Sequence, residues 1–75
     1  MKIDMDKVQK WEGELERIMG EIDKYTDKIQ NEMEKQSQSF CESSEGLMVQ
    51  SSIEELDIVV DGIMDILDHI RQVSA

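Results

Sequence analysis

The feature that most constrains this chain is a heptad-spaced row of apolar residues. They fall at Val8, Trp11, Leu15, Ile18, Ile22, Tyr25 and Ile29, in alternating steps of three and four. That alternation averages 3.5 residues, which keeps one stripe of an α-helix turned toward a neighbouring helix. A strand cannot use it, because strand side chains alternate with a period of two. Met19 and Met33 sit one residue past the seam and widen it, and Glu32, Gln36 and Ser39 bring it to an end. A second seam runs through Ile53, Leu56, Val60, Ile63, Leu67 and Ile70, flanked by Val59, Ile66 and Val73 at seven-residue spacing. The chain therefore reads as all-α, with two long amphipathic helices.

Residues 36–46 separate the seams and are polar and serine-rich, with Phe40 as the one bulky apolar side chain and Gly46 as a flexible point. Serine competes with helical hydrogen bonding and favours caps and turns. The reading is a single domain over 1–75, with helix one at about 5–35, a polar turn at about 36–46 and helix two at about 47–73. Helix two has two candidate starts. Ser51 and Ser52 each open a capping-box pattern, with Glu54 and Glu55 three residues on. Alternatively it begins near Ser43 or Ser44, and Val49, four residues before Ile53, favours that earlier start. A short connection makes the two helices antiparallel neighbours. Gly13, Gly20 and Gly62 fall inside the helices and off the main seams, where glycine weakens a helix by up to about 1 kcal/mol against alanine.

The apolar stripe on helix two is wider than one neighbouring helix covers. A two-stranded seam needs two apolar positions per heptad, and three are typical of a helix inside a bundle. The expected architecture is thus an antiparallel two-helix hairpin that completes a four-helix bundle, by dimerisation or by binding another helical protein. The residues expected to bind that partner are Trp11, Leu15, Ile18, Ile22, Tyr25, Val59, Ile63, Ile66, Ile70 and Val73. Phe40 and Gly46 are assigned to the turn, with Phe40 plugging the hairpin end.

Composition narrows the function classes. A 75-residue chain buries only about 60% of its unfolded surface, so an enclosed substrate pocket is hard to build. Cys41 is the single cysteine, which leaves no intrachain disulfide. Eighteen acidic residues against eight basic ones, a formal net charge of −10, disfavour nucleic acid, whose non-specific affinity comes from neutralised phosphates. Residues 41–75 hold eight of the acids and one base, Arg71, so helix two carries a strongly acidic outer face. Asp57, Asp61, Asp65 and His69 recur at four-residue spacing, but they lie away from the apolar seam and read as a solvated face. No zinc quartet, phosphate loop or nucleophile motif is present, so no catalytic residue, metal site or cofactor is assigned. No run of seven or more apolar residues occurs, as a removable signal or a membrane span would need. The expectation is a cytoplasmic protein as synthesised, with any export using a route that reads no cleavable signal.

The layout resembles the WXG family of small helical hairpins associated with type VII secretion. The likeness lies in the Met-Lys-Ile-Asp opening, two heptad-patterned helices of similar length, and Phe40 followed by Leu47 or Met48 near the turn. It departs at the turn, where Phe40-Cys41-Glu42 stands in place of Trp-x-Gly, and Trp11-Glu12-Gly13 spells the tripeptide inside helix one instead. The family's C-terminal Tyr-x-x-x-Asp signal is absent. The resemblance implies a type VII secretion substrate, or an accessory that binds the helical N-terminal region of a larger LXG-type effector. The alternative from the charge pattern is an acidic regulatory binder, such as an anti-repressor, antitoxin or adaptor, that masks a basic surface.

Overall fold

The computed structural model describes residues 1–73. Three helices occur in order: α1 at Met5–Glu34, α2 at Gln38–Glu42 and α3 at Ser44–Arg71. Among the described residues there is no strand, and no helix is long and apolar enough to cross a membrane. The all-helical class and the hairpin shape agree with the seams.

Asp4 starts α1 by accepting hydrogen bonds from the backbone N–H groups of Asp6 (3.1 Å) and Lys7 (3.3 Å). These are donors that the first helical turn otherwise leaves unpaired. Arg17 and Glu21, one turn apart, form an ion pair at 2.8 Å on the exposed surface. The helix stops at Lys35, where the Lys35 N–H bonds back to the Glu32 carbonyl (3.2 Å) and the Gln36 N–H to the Met33 carbonyl (3.0 Å).

The expected turn at 36–46 is partly helical. Ser37 caps α2, its Oγ accepting from the Phe40 N–H at 3.2 Å. Ser43 then ends α2 and starts α3: its hydroxyl donates to the Phe40 carbonyl and accepts from the Gly46 N–H. Helix two thus takes the earlier of its candidate starts, at Ser44 ahead of the outline bound of 47, and ends at Arg71, short of 73. Ser51 and Ser52 lie inside it, and the Ser52 hydroxyl donates to the Met48 carbonyl at 2.9 Å. Gly46 is not a flexible turn point but a buried residue in the first turn of α3. A Cβ there would run into the Phe40 carbonyl and the Cys41 backbone, so only glycine lets α2 fold back this closely.

The helices α1 and α3 run antiparallel along a body of 61 × 15 × 13 Å. Its radius of gyration is 17.4 Å, where a compact 75-residue domain has about 11 Å. The buried apolar core is small: Val8, Ile53, Ile63 and Leu67, with Leu67 the most enclosed at 2% exposure. Thr26 is buried among them, its hydroxyl satisfied by the Ile22 carbonyl at 2.8 Å. Near the open end, Arg71 reaches from α3 to Glu16 (2.8 Å) and Glu12 (3.6 Å) on α1.

Candidate interaction face

Successive residues of an α-helix advance by about 100°, so positions seven apart form a nearly straight row. Each long helix carries three such rows toward its neighbour. On α1 a shared row of Val8, Leu15, Ile22 and Ile29 is buried or half-buried, and so is an inner row of Glu12, Met19, Thr26 and Met33. The outer row, Trp11, Ile18 and Tyr25, is exposed, at 51%, 38% and 57%. The same division holds on α3. Val49, Leu56, Ile63 and Ile70 form the shared row, and Gly46, Ile53, Val60 and Leu67 the inner one, all buried or half-buried. Val59, Ile66 and Val73 form the exposed outer row.

The first seam is thus divided between the hairpin contact and the exposed face. The seam that closes the hairpin is Val8, Glu12, Leu15, Met19, Ile22, Thr26, Ile29 and Met33, so Trp11, Ile18 and Tyr25 stand outside the contact. A facing helix covers a strip, and either neighbour of the shared row can complete it. Met19 and Thr26 present less bulk than Trp11 and Tyr25 and let the helix axes approach. Glu12 fits at the open end because it is half-buried with its carboxylate turned to Arg71. On α3 the seam inferred from the sequence is the one that closes the hairpin.

Both outer rows lie on one face of the hairpin. Reversing a helix reverses the sense in which its residues wind and also the side on which it meets its neighbour. Rows displaced equally from the contact strip therefore emerge on the same side of an antiparallel pair. Near the turn, Tyr25 and Ser52, one from each outer row, line a single hollow of about 300 Å³ with Ile29, Met48, Val49 and Leu56. The opposite face is edged by polar side chains there: Gln30, Glu34, Gln50, Glu54 and Asp57 surround the other large hollow, with Met33, Cys41 and Ile53 also lining it. Arg71, opposite Glu12 and Glu16, sets the register. Stepping by sevens then places Trp11 level with Val73, Ile18 with Ile66 and Tyr25 with Val59.

Of the ten residues assigned to partner binding, Trp11, Ile18, Tyr25, Val59, Ile66 and Val73 are exposed on this face, and Leu15, Ile22 and Ile70 are half-buried along its floor. Ile63 is 7% exposed and belongs to the hairpin's own core. Met48, 70% exposed at the turn end of the same face, was not among them. It lies outside both seams, and its methionine chemistry alone marks no face. Phe40 is half-buried at the hairpin end, lining a shallow hollow with Ile29, Met33 and Val49. The Cys41 thiol is half-buried and points at the Met33 carbonyl, 3.8 Å away.

Asp57, Asp61, Asp65 and His69 are exposed on α3. Among the described residues no group of three or more histidine, cysteine or acidic side chains is placed to hold a metal ion. Comparison with models of known families, with curated proteins and with solved structures finds no match to this chain.

Proposed function

We propose that this chain is a non-enzymatic interaction module, a bundle half that pairs with further helices through the Trp11–Ile18–Tyr25 and Val59–Ile66–Val73 rows. The observation that carries the reading is the pair of exposed apolar rows brought to one face over a half-buried apolar floor. Contiguous apolar patches of this kind mark contact surfaces. The total exposed area supports it. The hairpin exposes 5968 Å², whereas a compact monomer of 8.7 kDa exposes about 4,700 Å² by the scaling of area with mass. The excess, about 1,250 Å², is larger than the ~800 Å² that each partner hides in a standard interface.

The resemblance to WXG hairpins directs the module toward type VII secretion, as a substrate or as an accessory that targets a larger effector. A second reading rests on a different surface. The outer side of α3 exposes Glu54, Glu55, Asp57, Asp61, Asp65 and Asp68, while its one base, Arg71, is engaged with Glu12 and Glu16. A regulatory binder using that surface would grip a basic protein and release it steeply with salt. Pairing through the apolar rows is far less salt-sensitive.

Light scattering at micromolar concentration, with a thermal melt of the same sample, tests the leading reading. The expected result is a mass above that of one chain, or a monomer whose melt is broad until a partner is supplied. A monomer with a sharp, cooperative transition overturns it.

A further inference from the structure

We infer that the face is closed by a second copy of the same chain, related by a two-fold axis parallel to the helices, so that α1 lies against α3 of the other copy and both turns sit at one end. This rests on the reading of the face as a pairing surface and adds its occupant and geometry.

Two self-pairings of the face are open to a two-fold. An axis parallel to the helices stacks α1 on the other copy's α3, whereas an axis across them stacks α1 on α1 and α3 on α3. Side-chain size separates the two. In the first, the levels set by Arg71 place Trp11 over Val73, Tyr25 over Val59 and Ile18 over Ile66. Each aromatic then meets a small residue, which is how facing layers interdigitate without voids. In the second, centred on Ile18, Trp11 meets Tyr25 on one side while Val59 meets Val73 on the other. The α1 side of the interface is overfilled and the α3 side is left hollow.

Edge charges separate them in the same direction. The row beside the outer row on α1 is Lys7, Glu14, Glu21 and Lys28, and on α3 it is Met48, Glu55, Gly62 and His69. All of these are exposed. With α1 against α3, Lys28 faces Glu55, Glu14 faces His69 and Glu21 faces Gly62, so no two like charges meet. With α1 against α1, Lys28 faces Lys7 and Glu14 faces Glu21, each twice. Edge pairs of this sort fix orientation more than they add affinity.

A charge-reversal set with sedimentation equilibrium reads the arrangement by sign. Lys28→Glu is expected to weaken the dimer about tenfold, since it replaces two attractive pairs by two repulsive ones. Adding Glu55→Lys is expected to restore it. If Lys28→Glu instead tightens the dimer, α1 faces α1 and the inference is overturned. A distance measurement that leaves the edge charges intact stands beside it. Spin labels on Ser39→Cys in a Cys41→Ser background lie within about 30 Å of each other in the inferred dimer. With the turns at opposite ends they lie beyond about 50 Å, from ~1.5 Å per residue. A dimer with the long distance overturns the inferred geometry while the pairing face stands. A partly folded monomer overturns the second copy as occupant, leaving a different helical partner. A cooperatively folded monomer overturns both.

Discussion

Leu67 and Ile66 are adjacent on α3, yet one is 2% exposed and the other 49%. Truncating each to alanine therefore separates the core of the hairpin from the proposed pairing face. Leu67→Ala removes a fully enclosed side chain and is expected to cost about 2–5 kcal/mol. At about 4–8 °C per kcal/mol for a domain of this size, the midpoint drops by at least ~8 °C at every protein concentration. Ile66→Ala has two different expectations. If the face stays in water, half of a small transfer term is lost, about 1 kcal/mol or less. If the face is buried by further helices, the cost approaches that of Leu67→Ala and appears as a loss of the concentration dependence of the melt. Ile58→Ala, at 61% exposure and off this face, is the control. Far-UV circular dichroism melts over a hundredfold range of concentration read all three variants. The account expects Ile66→Ala to resemble Leu67→Ala in size. A cost matching that of Ile58→Ala at all concentrations would mean that no further helix covers Ile66.

Three further perturbations test the elements that present the face. Gly46→Ala is expected to destabilise, because its Cβ meets the Phe40 carbonyl and the Cys41 backbone; Gly13→Ala, with nothing within 4 Å, is expected to stabilise by about 0.5–1 kcal/mol. Urea denaturation of both variants gives the two signs, and equal effects would contradict the close approach of α2 to α3. Asp4→Ala removes the cap of α1 and is expected to cost about 1 kcal/mol, with loss of protection from hydrogen exchange confined to the first turn. Arg71→Ala breaks ion pairs that are half-exposed, so a loss of no more than about 1 kcal/mol is expected, vanishing at high salt; a larger, salt-independent loss would assign Arg71 a packing role.

The two long helices, their antiparallel pairing and the α3 seam were legible in the sequence because apolar rows on α3 are separated cleanly from acidic ones. The pairing of α1 was not. The row from Val8 to Ile29 is common to two seams, one through Trp11 and Tyr25 and the other through Met19 and Thr26. Periodicity alone weights them by hydrophobicity, whereas closure of the hairpin also depends on bulk, on the Thr26 hydroxyl finding the Ile22 carbonyl, and on Glu12 finding Arg71. None of these can be read without the opposite helix in register. The short α2 was hidden for a related reason. Ser37 and Ser43 favour both turns and helix caps, and the choice is made by the Phe40 N–H and carbonyl, which one serine accepts from and the other donates to. Of the residues expected at a partner face, the outer rows are the ones left exposed. On α3 that row was legible because a third apolar position per heptad has no use in a two-helix contact.

The most direct test of the central claim uses the chain's single tryptophan, Trp11, which stands half-exposed on the proposed face. Its accessibility to a neutral quencher such as acrylamide can be followed by fluorescence across a dilution series, with helix content monitored in the same samples. The account predicts that quenching of Trp11 falls as concentration rises, in step with assembly, while helix content is retained or increases. Trp11 freely quenched at every concentration in a fully helical, cooperatively folded chain would show that the face is at home in water, and would contradict the claim.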